Sequence, residues 1–205
     1  MNQFVFTPAA AAKRNLGSAD SSSSVFPANH HDDAAGLDAD AFVNVMKRAV
    51  TSVNIVTTDG IAGRFGLTVS AFCSVSANPP LVLVCINRRS PACRAIVENR
   101  RFCVNVLAAE QQPLAEKFAG MPGHGKPYEF DNDTWTAGCT GSPVLERAVA
   151  SFDCNLTTAV DAGTHTIFTG LVQGASACDD EPLLYSNRNF GRIERELDGR
   201  RQSRS

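Results

Sequence analysis

The chain has 205 residues, 43% of them hydrophobic and 20% charged, with 19 basic against 21 acidic side chains and a formal net charge of -2. Those values suit one globular domain and exclude a collagen-like or low-complexity chain, and they leave no charge excess for a domain-wide nucleic-acid surface. The longest apolar run, Leu81 to Ile86, is far short of the roughly 20 residues that span a bilayer, so no membrane span is expected.

Residues 1–36 are rich in Ala, Ser, Asn and Asp and show no sustained period, which predicts a disordered tail. Its start, MNQFVFTPAAAAKRN, puts apolar residues before positive ones, the reverse of a secretory signal, so a cytoplasmic protein is expected. Asp38 is placed to cap a helix whose Phe42, Val45, Met46 and Ala49 recur at helical spacing. The β-branched run 52–58 then ends at Asp59-Gly60, a turn signal. A second extended stretch covers 65–77 and stops at Asn78-Pro79-Pro80, and 81–87 reads as a strand buried on both faces.

Ser90-Pro91 predicts an N-cap with proline at the first helical position, opening a helix to about Glu98. A strand at 101–107 and a short helix at 110–120 follow; further strands are read at 151–160, 165–177 and 182–186. Residues 193–205 are charged and apolar-poor, a second tail, which leaves 37–192 as the compact domain. Strands dominate and the helices are short, so the pattern predicts a mainly β closed or sandwiched architecture with helices outside.

The seven cysteines include no C-x-x-C pair and several sit in apolar runs, as reduced thiols do inside a cytosolic protein. Gly120 to Lys126 matches G-x-x-x-x-G-K, but Pro127 replaces the hydroxyl residue and the segment follows a helix, so it reads as a surface loop. His30-His31-Asp32-Asp33 lies in the tail without further ligands at metal spacing, and no metal site is expected. Neither a nucleophile elbow nor a Rossmann glycine fingerprint is present.

Three other segments carry possible chemistry. The stretch GRFGLTVSAFCSVSANPP offers hydroxyls and close backbone approach, which suits either a half-exposed strand or a phosphate-bearing cofactor. Asn87-Arg88-Arg89-Ser90-Pro91 joins a strand to a helix start, a place for an anion or for ordinary capping. His165 opens a strand after Gly163, facing a pocket or serving structure alone.

Taken in order, GLTVSAFCSVSANPPLVLVCINRRS, RFCVNVLAAEQQPLAEKFAG, TGSPVLERAVASFDCNLTTAVDAGTHTIFTGLVQG and PLLYSNRNFG resemble the short-chain flavin reductases, over nearly all of 38–192. These are the NAD(P)H:flavin oxidoreductases of two-component flavin monooxygenases. The resemblance implies an FMN-binding split β-barrel with short flanking helices and a homodimer with flavin near its interface. It also implies FMN or FAD with NADH or NADPH as cosubstrate, and reduced flavin that diffuses to a separate oxygenase in aromatic-compound metabolism.

Position by position, Thr68, Val69, Ser70 and Ala71 correspond to the stretch along the flavin ring, and Ser74, Val75 and Ser76 to its ribityl and phosphate side. Asn87 and Ser90 correspond to a phosphate-side loop and Asn105 to the strand beside the flavin. His165 corresponds to the histidine near the nicotinamide, and Phe190 and Arg192 to the element closing over the nucleotide. Thr164 stands where the family often has Asp, and Cys73 where it often has Thr. A flavin-retaining electron carrier without NAD(P)H oxidation shares this fold, and so does a barrel that binds no flavin.

Overall fold

The computed structural model describes residues 36–123, 125–131 and 134–193. The two expected tails (1–36 and 193–205) and the His30–Asp33 cluster lie almost wholly or wholly outside them. Among the described residues, every helix and strand belongs to the unit that begins at Asp38.

Helix α1 (Ala39–Met46) starts where the sequence places it, with the Asp38 carboxylate accepting from the Ala41 N–H at 3.2 Å. The strands are β1 (Thr51–Ser52), β2 (Asn54–Thr58), β3 (Phe65–Val69), β4 (Phe72–Ala77), β5 (Pro80–Asn87) and β6 (Arg101–Val106), then β7 (Trp135–Ala137) and β8 (Pro143–Leu145). They continue with β9 (Ala150–Ala162), β10 (His165–Ala177), β11 (Leu184–Ser186) and β12 (Asn189–Gly191). Helix α2 (Pro91–Asn99) lies between β5 and β6; a 3-10 turn at Ala109–Gln111 leads into α3 (Gln112–Phe118).

Seven strands form one antiparallel sheet in the order β3-β2-β6-β9-β10-β5-β4. Laid flat, its two edges would stand ~29 Å apart at strand spacing. Yet β3 and β4 are consecutive, joined only by Ser70 and Ala71, and three Cα steps reach at most about 11 Å. The sheet therefore curls until its edges meet, a barrel split between β3 and β4. The Cys85 N–H, donating to the Ala71 carbonyl at 3.0 Å, pins the crossing to β5.

The barrel interior holds Val56, Val82, Val84, Ile86, Phe102, Val104, Cys154 and Phe168, with Cys93 and Ile96 of α2 packed against them. A second apolar cluster outside the barrel gathers Ile55, Leu107, Ala115, Phe118, Trp135 and Leu145. Strand β2 is buried along its whole length because Val56 faces the first cluster and Ile55 the second. A small sheet, β1-β11-β12, is tied to the barrel by the Val53 N–H on the Leu183 carbonyl and the Leu183 N–H on the Leu107 carbonyl.

Three sequence expectations change. The stretch 65–77 is two strands at opposite sheet edges, because the chain turns the corner at Ser70 and Ala71. The 81–87 run is not buried on both faces: Val82, Val84 and Ile86 fill the barrel, while Leu81, Leu83 and Cys85 point outward and are half-buried. The stripe of α1 does not enter the core, since Phe42 is 54%, Val45 66% and Met46 51% exposed. The Gly120–Lys126 segment follows α3, as the loop reading requires, with Gly120, Gly123 and Gly125 at positive φ.

Candidate functional site

The corner between β3 and β4 is the centre of the site. Ser70 and Ala71 are exposed there, between two sheet edges whose outer backbone groups face away from the barrel ladder. Val69 is half-buried against the barrel core, and its carbonyl accepts from the Asn54 side-chain amide at 3.3 Å. The same amide donates to the Ser52 carbonyl, and the Ser52 hydroxyl donates to the Asn54 Oδ1. Asn54 is fully buried. Its burial in a polar network, rather than any motif, marks it, and sequence reading passed it over.

Thr68 is spent differently from what the resemblance implies: its hydroxyl donates to the Ala115 carbonyl of α3 at 2.7 Å, so it turns its backbone, not its side chain, to the corner. On the edge strand β4, Ser74 and Val75 are exposed and Ser76 is half-buried. A bulge between Ser74 and Ser76 leaves Val75 as the extra residue, 50% exposed. The Ser76 hydroxyl accepts from the Asn78 N–H, while Ser70 and Ser74 keep hydroxyls with no partner among the described residues.

Asn87 ends β5 directly opposite His165 at the start of β10. Its Oδ1 accepts from the Arg89 N–H at 2.9 Å and its carbonyl from the Ser90 N–H, which closes the loop tightly. Ser90 caps α2 by position only; its hydroxyl makes no cap bond. Arg88 pairs with Asp161 at 3.0 Å, and Asp161 also accepts from the buried Thr166 hydroxyl at 2.7 Å. This clamp joins the loop to the hairpin that carries half-buried His165, whose Nδ1 lies 2.9 Å from the Thr164 hydroxyl.

Ser76 faces Leu81 and Asn87 faces His165, six residues apart on β5, or ~20 Å at strand rise. Ser74–Ser76 and Asn87–Ser90 therefore do not converge on one phosphate. A ligand touching both lies along β5 past the corner.

Asn105 is set apart from the rest. It is completely buried; its amide donates to the Ile55 carbonyl, and its Oδ1 accepts from the Leu145 N–H at 2.8 Å and the Ser151 hydroxyl. The side chain joins β2, β6, β8 and β9 and turns nothing to solvent, a correction to its reading as a flavin ligand. Phe190, half-buried on β12, meets Tyr185 edge-on at 5.3 Å between centroids, and Arg192 is exposed beyond it. A polar cavity of about 480 Å³ beside Arg100, Arg101, Asn155 and Gln173 includes none of the expected site residues.

A flavin fits these groups: among the described residues the Ser70 and Ser74 hydroxyls have no partner, the Ser90 hydroxyl makes no cap bond, β3 and β4 are the edges of the sheet, and Ser70 and Ala71 bring no carboxylate to the corner. An antiparallel barrel split at such a corner is the split β-barrel architecture of solved flavin reductases. The chain belongs to the family described as flavin reductase like domain, whose model matches residues 46–194.

Among curated relatives, "FMN reductase (NADH) RutF" of Agrobacterium fabrum is 44% identical over 149 residues, covering 72% of this chain and 84% of that protein. Its namesake from Variovorax paradoxus is 44% identical over 151 residues, covering 73% and 83%. Among solved structures, the NADH:FAD oxidoreductase SgcE6 of Streptomyces globisporus, in complex with NAD and FAD fragments, superposes with TM-score 0.71 at 32% identity, covering 78% of this chain and 96% of that one. BorF, the flavin reductase component of a bacterial two-component tryptophan halogenase, gives TM-score 0.70 at 33% identity, covering 78% and 100%. Among the described residues no helix is long and apolar enough to cross a membrane.

Proposed function

We propose that this protein is an NADH-dependent flavin reductase that takes FMN by preference and hands reduced flavin to a separate oxygenase. The observation that carries the reading is the open corner at Ser70–Ala71 beside the Asn87–His165 pair, in a chain 44% identical to two proteins named as NADH-dependent FMN reductases. Bound flavin supplies the hydride-accepting chemistry. The chain's own work is placement: the Thr68–Ala71 backbone and the Ser70 and Ser74 hydroxyls hold the flavin, Ser90 and the first turn of α2 take an anionic group, and His165 orients the nicotinamide end. No acid–base pair is needed for a hydride step, in keeping with a corner made of hydroxyls and amides. Likeness to the halogenase component BorF supports transfer of reduced flavin to a partner acting on aromatic compounds.

The site is a surface, not an enclosed pocket, and this supports a homodimer. Cross-strand pairs Leu81–Leu171, Leu83–Thr169 and Cys85–Ile167 point outward from β5 and β10, half-buried, with Val160 beside Ile167 at 58% exposure. An apolar sheet face of this kind, continuous with the β4 edge, suits burial by a second copy that also shields the flavin from water.

Anaerobic mixing of the protein with NADH and either FMN or FAD, followed at the flavin's visible band, tests the reading. Rapid bleaching over many turnovers, faster with FMN, is expected. Tight flavin binding without bleaching by NADH or NADPH would move the protein to the flavin-retaining carriers.

A further inference from the structure

At the end of the barrel away from the corner, a cavity of about 480 Å³ opens between β6, β9, β10 and the β7–β8 loop. Strand register puts it there. Val106 faces Asn54, which faces Val69 beside the corner, whereas Arg101 starts the same strand five residues earlier. The two places are thus ~17 Å apart at strand rise. Arg101 pairs with Asn155 across β6 and β9, and both line the cavity together with Arg100, Cys139, Thr140 and Gln173. Among the described residues, no carboxylate lines it.

Local irregularities of the backbone build this cavity. Arg100 ends α2 with φ 61°, in the left-handed region that an arginine seldom adopts. Strand β10 bulges at Gln173: Val172 faces Cys154 and Gly174 faces Asp153, so Gln173 is the extra residue, re-aimed to the cavity wall. Gly174 lets the β7–β8 loop close in, since a Cβ there would stand 2.9 Å from the Cys139 Sγ. Behind the loop, the buried Asp153 carboxylate is occupied by its own donors, the Thr140 N–H at 2.7 Å, the Thr140 hydroxyl and the Cys139 thiol at 3.1 Å. The Arg101 Nε and Nη1 donate to the Asn99 and Thr140 carbonyls, which fixes that guanidinium in the wall. The Arg100 and Asn155 side chains, by contrast, form no ion pair or hydrogen bond among the described residues.

We propose that this cavity is a binding site for a small organic oxyanion, a carboxylate or a phosphate ester, distinct from the flavin corner. Arg100 supplies an unpaired charge, Arg101 a fixed one, and the Asn155 and Gln173 amides directional hydrogen bonds. The volume takes such an anion with a short carbon skeleton. No aromatic or aliphatic side chain lines the cavity, so it offers no apolar face to a flavin or nicotinamide ring. The site does not depend on the reductase reading, because none of its residues belongs to the corner.

Exposed Cys139 in the wall reports occupancy, and exposed Cys73 on β4 is the internal reference. Alkylation of both thiols by iodoacetamide is followed in the full chain by mass spectrometry. Saturating succinate or glycerol phosphate is expected to slow Cys139 about tenfold and leave Cys73 unchanged, while sodium chloride at equal ionic strength protects neither. Whichever of the two probes protects tells carboxylate from phosphate ester. Arg100→Asn removes the charge yet suits a φ of 61°, so the melting temperature should hold. In that variant the protection should disappear and calorimetric affinity for the probe should fall about tenfold. Arg94→Gln, on the exposed side of α2 where Arg94 pairs with Glu98, should behave as wild type. Failure of both probes to protect Cys139 or to bind by calorimetry would overturn the site. So would protection by sodium chloride, protection of Cys73 instead, or protection that survives Arg100→Asn. These readouts need no turnover, so they decide the site whether or not the protein oxidises NADH.

Discussion

Asn54 and Val69 are bound side chain to main chain: the fully buried Asn54 amide donates to the Val69 carbonyl at 3.3 Å, just before the chain leaves β3 for the opposite edge of the sheet. The same residue accepts from the Ser52 hydroxyl. One buried side chain thus fixes the backbone leading into the Ser70–Ala71 corner and ties it to β1 of the small sheet.

Asn54→Ala removes that tie and leaves the Ser52 hydroxyl and the Val69 carbonyl without it. A loss of about 1–3 kcal/mol in stability is expected, together with weaker flavin binding. Chemical denaturation and quenching of flavin fluorescence measure the two. Unchanged flavin affinity in a destabilised variant would confine Asn54 to the fold.

Position 170 tests the packing of the barrel. A Cβ built on Gly170 would stand 2.5 Å from the Phe102 ring and 2.7 Å from the Cys154 Cβ. Gly170→Ala should therefore destabilise by about 1–3 kcal/mol through overpacking. The melting temperature reads this out, and the companion Phe102→Leu should recover part of the loss.

His165 opens β10 opposite Asn87, with its Nδ1 2.9 Å from the Thr164 hydroxyl, and an orienting role predicts a moderate effect. His165→Ala should slow NADH-driven flavin reduction by about tenfold and leave flavin affinity unchanged. Single-turnover bleaching under anaerobic conditions separates this from obligatory proton donation, for which reduction would stop with flavin still bound.

The outward face of β5 and β10 can be tested by charge. Leu83, paired with Thr169 across the ladder, points away from the barrel interior. Leu83→Glu should give a folded monomer by light scattering with much weakened flavin binding. A dimer of wild-type stability in this variant would place the subunit contact elsewhere.

The cysteines predict a pH dependence. Burial pushes the Cys154 thiol up to about 12 and raises Cys103 well above the ordinary thiol range, while a hydrogen bond to Asp153 raises Cys139. In the unfolded chain these thiols ionise near 9. The folded state therefore binds more protons above that pH, and the stability present below pH 9 is lost as pH rises toward 12. Denaturation midpoints should fall across that window, and a Cys154→Ala background should lose part of the slope. At pH 8 a thiol reagent should modify exposed Cys73 first, Cys139 more slowly because Asp153 holds its proton, and Cys103 and Cys154 only on unfolding.

Much of the architecture was legible in local pattern. The Asp38 cap, the α2 start at Pro91, the β10 span and the sequence of strands and short helices follow from capping, the fixed φ of proline and side-chain period, which act within a few residues. Strands β7, β8 and β12 are three residues each, too short for a period to register. The resemblance carried by GLTVSAFCSVSANPP and GTHTIF pointed to the flavin reductases, and family membership bears that out.

The tertiary structure alone decided how those residues are used. A hydroxyl on a strand looks the same in sequence whether it faces a ligand or a neighbouring carbonyl. Only the packing of α3 on β3 shows that Thr68 is spent on Ala115, and only the meeting of β2, β6, β8 and β9 shows that Asn105 is an interior tie. The break at Ser70–Ala71 likewise comes from barrel closure, which depends on strands far apart in the chain. Local sequence sets what each segment can form; which backbone edges stay open and which charges stay unpaired is settled by contacts between residues tens to more than a hundred positions apart, such as Ser186 on Arg48.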